Sequence, residues 1–195
     1  MIHPAMELRY INADIGSGLF SREFIPKGTI VFFQDPLDQV ILPQQLKQLP
    51  VPFQELVDKY GYQDRTGSWI LGWDLSIYTN HSCKPTALDT ALGFEIAICD
   101  IQAGDELTID YGLLNLNADM PVSCGCKNCR KILHPSDFEQ YAPLWDTQIQ
   151  EALRMVSSVP QPLWDYLRVE TKNRLAAVLS GSMEYPSVLE MKFVS

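Results

Sequence analysis

The sequence predicts a mainly β protein with added α structure, and three observations lead there. Short β-branched and aromatic runs, divided by glycine and proline turns, fill most of the first 111 residues. Beyond residue 137 the apolar residues change to helical spacing. No internal repeat or low-complexity segment interrupts either part. With 195 residues the chain can bury one good core and carry a small additional subdomain.

Taken in order, Leu8-Arg9-Tyr10-Ile11 is a short mixed strand, and Gly16-Ser17-Gly18 is a turn that glycine makes easy. After the Pro26-Lys27-Gly28 turn, Thr29–Phe33 is a β-branched and aromatic run expected to be a buried strand. Residues 36–70, punctuated by prolines, are expected to be an insertion of loop plus one short helix. There Phe53, Leu56, Val57 and Tyr60 share a helical face, and Gly61 is the stop. Strands resume at Trp69-Ile70-Leu71, at Phe94–Cys99 and at Glu106–Tyr111, where polar and apolar residues alternate. Residues 137–157 carry Phe138, Tyr141, Trp145, Ile149, Leu153 and Val156 at helical steps. Pro160-Gln161-Pro162 breaks that helix, and a second is expected over Leu163–Leu179.

Composition narrows the function. A net charge of −9 argues against direct nucleic-acid binding, since a phosphate backbone would be repelled, and it suits a basic protein partner. No apolar run approaches the ~20 residues of a membrane span. The N-terminal residues lack the basic and apolar segments of a signal peptide, so an intracellular location, cytoplasmic or nuclear, is expected. In that setting the closely set Cys124-Gly125-Cys126-Lys127-Asn128-Cys129 reads as a metal site rather than a disulfide framework. It supplies three thiolates, one short of the four of a structural zinc site. Cys99, on an apolar run, is expected to be an ordinary buried cysteine.

Asn80-His81-Ser82-Cys83, then Glu106-Leu107-Thr108-Ile109-Asp110-Tyr111-Gly112, then the cysteine cluster, form an ordered set. Singly, each has an ordinary structural explanation: a tight turn, a core histidine, a core tyrosine. Together, with Ile15-Gly16-Ser17-Gly18-Leu19-Phe20 before them, they resemble the SET-domain methyltransferases from about residue 15 to Arg130.

The resemblance implies a SET-domain β-clip core of several small sheets with a C-terminal helical region. It divides the chain into a SET domain over residues 1–133, with the 36–70 insertion and a zinc cluster at 124–129, and a helical region over 134–195. It further implies methyl transfer from S-adenosylmethionine to a lysine of a protein substrate, a histone or other basic protein. Gly16, Ser17, Gly18, Leu19, Asn80 and His81 would then meet the cofactor, by close backbone approach at the glycines and by the donor and acceptor of the asparagine amide. Tyr111 would be the central catalytic residue, and Cys83 would join Cys124, Cys126 and Cys129 on a structural zinc.

The chain also departs from the family pattern. Lys84-Pro85-Thr86 follows the cysteine in place of x-Pro-Asn, and Phe32-Phe33-Gln34-Asp35 lacks the tyrosine common there. Ile109 stands where many members carry an aromatic residue. A SET module that transfers nothing and serves as a zinc-stabilised interaction domain therefore stays open beside the enzyme.

Overall fold

The computed structural model describes residues 1–193. Strands β1 (Met6–Asn12) and β2 (Gly16–Ser21) form a hairpin, and β3 (Ile30–Phe32) is buried along its length. The segment expected to be loop with one helix is instead a small unit of its own. It contains β4 (Gln39–Ile41), α1 (Pro43–Gln48), α2 (Val51–Tyr60), β5 (Gly61–Gln63) and β6 (Trp69–Leu71), with β6 between β4 and β5. The proline-rich sequence hid this. Pro43 and Pro52 stand in the first turns of the two helices, where a missing N–H costs nothing. Gly61 ends α2 as expected, its N–H donating to the Val57 carbonyl, and it also opens β5. Of the face expected to pack, only Val57 is buried, while Phe53 and Leu56 are exposed.

The next strands are β7 (Asn80–His81), β8 (Ala87–Thr90), β9 (Phe94–Ala97) and β10 (Glu106–Ile109). One sheet runs β1-β2-β10-β7 and another β3-β9-β8. β9 ends at Ala97, two residues short of the expected end, and Cys99 is exposed rather than buried. β10 also ends early: Asp110 caps a single 3-10 turn, Tyr111–Leu113, by accepting from the Gly112 N–H at 3.0 Å. A short pair, β11 (Met120–Pro121) and β12 (Ile132–Leu133), brackets the cysteine cluster.

Helix α3 (Asp137–Leu153) buries Phe138, Trp145, Ile149 and Ala152 against Ile30, Phe94 and Ile96 of the β3-β9-β8 sheet. The second helix begins later than expected. A 3-10 turn covers Trp164–Tyr166, and α4 (Val169–Leu179) follows, contributing Leu175 to the same core. A second core of Leu19, Val31, Ile101, Leu107 and Ile109 lies around the β2-β10 pair. The fold is thus several small sheets with C-terminal helices that share a core with one of them. Among the described residues no helix is long and apolar enough to cross a membrane.

Candidate functional site

β10 brings the separated motifs together. It pairs antiparallel with β2 through Glu106↔Phe20 and Leu107↔Leu19, and parallel with β7 through Thr108↔Asn80 and Ile109↔His81. The Asn80 amide donates to the Ser17 carbonyl at 3.1 Å and to the Glu106 carboxylate at 2.7 Å. Among the described residues its Oδ1 accepts from no donor. A Cβ on Gly18 would collide with the Glu106 carboxylate and lie 2.7 Å from Asn80 Nδ2, so a larger residue there would displace the side chains that make this contact. Gly16 has φ +83° and open space around it. Leu19 is different: it is fully buried, its side chain in the second core and its backbone between Leu8 and Leu107 of the neighbouring strands. Glu106 was not singled out from the sequence, although it is the first polar residue of the alternating strand.

His81 is fixed at both ring nitrogens. The Tyr111 N–H donates to Nδ1 at 3.2 Å, so the ring proton sits on Nε2, which faces Cys83 Sγ at 3.2 Å. Burial, with Arg130 nearby, outweighs the attraction of Asp110 and pushes the imidazole down to about 4, so it is neutral at pH 7. The Tyr111 ring lies 5.4 Å from the His81 ring, and its hydroxyl donates to the Thr79 carbonyl at 2.7 Å. Burial, then the charges of Glu106 and Glu95, push that hydroxyl up to about 12. It therefore stays protonated and acts as a donor.

Arg130, the residue after the last clustered cysteine, links this strand to the helical region. Its guanidinium ion-pairs with Asp110, bonds Asp137 at 3.0 Å and lies 4.6 Å over the Tyr141 ring. Its backbone N–H donates to Cys83 Sγ at 3.3 Å. The Trp145 indole N–H donates to the other oxygen of Asp110 at 3.2 Å. Asp110 is thus held from two sides, and it precedes Tyr111.

The cysteines converge on Cys124. The Cys83 N–H donates to its sulfur at 3.5 Å, and Cys126 Sγ lies 3.3 Å away. Burial raises the Cys124 thiol, but the backbone N–H groups of Cys83 and Cys126 and the thiols of Cys126 and Cys129 outweigh it and hold the group at about 6. A thiolate at neutral pH among three further thiols is the donor set that a soft divalent metal requires. His81, Cys83 and Cys124 also bring ligand atoms within 4.8 Å of one another. With its proton on Nε2, however, His81 donates toward the Cys83 sulfur and orients it, and the ring offers no lone pair on that side. Cys129 turns its sulfur toward the Val122 carbonyl at 3.8 Å.

Tyr111 also borders a cavity of about 450 Å³, together with Thr79, Ile109 and Phe32. Other parts of its wall come from Asp89 and Glu95, from residues 114–121 and from the 36–70 unit, including Tyr60, Tyr62 and Trp69, and these aromatic residues were not anticipated as site residues. Gln34 lines an adjoining cavity and not this one.

Comparison with known proteins bears on this arrangement. The family model of the SET domain matches residues 16–112. Among solved structures, the methyltransferase domain of human histone-lysine N-methyltransferase SETMAR aligns at 21% identity and TM-score 0.47, over 68% of this chain and 58% of that one. KRYPTONITE, solved in complex with mCHG DNA and SAH, aligns at 24% identity and TM-score 0.46, over 66% of this chain and 29% of that one. The chain therefore spans less than two thirds of the length of either protein.

Proposed function

With residues 16–112 forming a domain of the SET family, we propose that the chain is an S-adenosylmethionine-dependent methyltransferase acting on lysine side chains of a protein substrate. Tyr111 carries the reading. It is a neutral donor fixed through both hydroxyl and backbone, set between the β2-β7 edge and a cavity of about 450 Å³. S-adenosylmethionine, when bound, supplies an electrophilic methyl group on a sulfonium. Asn80 would hold its amino-acid end, using the Oδ1 that no described residue occupies, while Gly16 and Ser17, both partly exposed, would offer it backbone contacts, with Gly18 and Leu19 buried behind them. His81 would meet it through the backbone.

Methyl transfer requires a neutral amine aligned with the methyl group and shielded from water. In this reading the cavity orients the lysine, and Tyr111 supplies a polar contact without competing as a base. Cys83, Cys124, Cys126 and Cys129 would hold a structural zinc, joining the 124–129 segment to the end of β7. This division takes residues 1–133 as the SET domain and 134–195 as the helical region bearing on it. A basic segment on the substrate would suit the charge of −9, which also disfavours direct nucleic-acid binding.

The absence of a tyrosine at Gln34 favours keeping the non-catalytic module as a second reading. Calorimetric titration with S-adenosylmethionine, followed by radiolabelled methyl transfer on a protein array, separates the two. Cofactor binding with labelled lysine supports the enzyme. Cofactor binding without any labelled protein favours the module, and no cofactor binding defeats the cofactor-dependent reading.

A further inference from the structure

Asp89 on β8 and Glu95 on β9 are direct cross-strand partners in the wall of the Tyr111 cavity. Like charges directly opposite each other destabilise a sheet, so a fold carries such a pair against its own stability. The N-terminal ammonium eases it at Glu95 without pairing, and burial outweighs that. Glu95 is only 9% exposed, yet its Oε2 has no hydrogen-bond partner. Gln63 Oε1, buried in the same wall, has none either. Neither carboxylate forms an ion pair with any described residue, and the one hydrogen bond that Asp89 accepts comes from its neighbour Thr90. The cavity wall contains five acidic residues and a single basic one, Lys59, whose ammonium lies 4.9 Å over the Tyr60 ring.

Unsatisfied acceptors, paired carboxylates and aromatic faces are complementary to an organic cation. Carboxylates accept its N–H donors, and the ring faces attract its charge. Asp89 sets this spot partly apart from the reacting centre. It also lines the adjoining cavity of Tyr62 and Gln34, which neither Tyr111 nor Glu95 reaches and whose wall also carries Arg65, Arg168 and Arg174. An anionic pair at the reacting amine would moreover favour its charged, unreactive form.

We propose that the Asp89–Glu95 pair is a second substrate-binding site, which takes a basic side chain, arginine or lysine, flanking the target lysine. The proposal rests on the lysine-methyltransferase reading for the identity of its ligand. Arginine suits the site best, because its planar guanidinium can bond both carboxylates while stacking on an aromatic ring. Burial has already pushed Asp89 up to about 7 and Glu95 up to about 8, so an arriving cation would draw protons off the pair.

The test uses uncharged peptides with one central lysine and a single arginine, lysine or glutamine moved through the flanking positions. Methyl incorporation from radiolabelled S-adenosylmethionine is measured for each. Binding is measured by fluorescence anisotropy on the same peptides with norleucine at the centre. A basic residue at one or two fixed positions should tighten binding about tenfold over glutamine, the size expected of a charge-assisted hydrogen bond. That gain should vanish in Asp89→Asn/Glu95→Gln and shrink in Asp89→Asn alone. No ion pair is lost in either variant, so folding is retained, and melting curves verify it. A gain independent of position, or one that survives in the double variant, overturns the site. A position-specific gain without methyl incorporation leaves the site standing and defeats the transferase reading. Incorporation without the gain does the reverse.

Discussion

The Tyr111 hydroxyl donates to the Thr79 carbonyl at 2.7 Å, tying the turn after β10 to the residue before β7. The same residue's N–H reaches His81, so its ring is held from both ends at the cavity wall. Tyr111→Phe keeps the ring and removes the hydroxyl. Single-turnover methylation should slow by roughly a hundredfold or more, as when one preorganised donor is lost at a reacting centre. Cofactor affinity by calorimetry should barely change, while Asn80→Ala should weaken it first. Full activity in Tyr111→Phe would sink this role.

If Cys83, Cys124, Cys126 and Cys129 hold a structural zinc, as proposed, the protein should carry about one per chain, the stoichiometry of a four-thiolate site. Elemental analysis of protein purified without chelator should find it. Chelation should lower the melting temperature of the wild type and do little to Cys83→Ser. A metal-free protein whose stability is the same with and without Cys83 would dispose of the site.

Arg130 holds Asp110 and Asp137, both buried, through its two guanidinium nitrogens. Arg130→Met leaves both carboxylates unpaired, and breaking a buried pair by removing one partner costs about 3–5 kcal/mol. Denaturant unfolding should register a loss of that order, with Arg130→Lys intermediate because it cannot bridge both. A loss below ~1 kcal/mol, the worth of an exposed pair, would mean that the bridge is slack.

The Asp89–Glu95 pair gives stability a pH dependence of definite sign. Burial raises both carboxyls, Asp89 from 3.8 to about 7 and Glu95, further opposed by Asp89, from 4.5 to about 8. The unfolded chain therefore loses these protons first as pH rises. The stability they contribute is full below about pH 4 and is lost as pH climbs through about 7 to 8. Asp38, Tyr62 and Lys59 share the cavity, the N-terminal ammonium acts on Glu95 against the shift, and Arg65, Arg168 and Arg174 line the second cavity that Asp89 borders. Asp89→Asn/Glu95→Gln should melt above the wild type at pH 8, with a narrower gap at pH 5. A gain of ~1 kcal/mol corresponds to roughly 2–4 °C in a chain of this size. An equal gap at both values would contradict the shared burial of the pair.

Much of this was legible in one dimension because local chemistry is strong where strands are short. The strands at 30–32, 69–71, 94–97 and 106–109 stood out by β-branched runs bounded by turns, and α3 by its periodicity. In the 36–70 unit α2 was legible too, but β4, α1 and β5 were not. A six-residue helix opened by proline and three-residue strands carry too little local signal, and the strands exist through the pairing of β4, β6 and β5. Cys99 and Leu19 show the same limit, since an apolar neighbourhood does not say which face a residue takes once a strand ends or a core closes.

The sequence by itself determined the ordered motifs, the thiol cluster and the acidic balance, because these depend on residue identity and spacing alone. Only the tertiary structure decided their relations. Parallel pairing of Thr108 with Asn80 brings together segments 28 residues apart and sets the Asn80 amide and the Glu106 carboxylate against Gly18. Hydrogen bonding to the Tyr111 N–H selects the His81 tautomer, and thereby its place beside the thiols. Cross-strand register sets Asp89 against Glu95, six residues apart in the chain, with no base opposite. Register, tautomer and burial arise from contacts between distant segments, which no local pattern encodes.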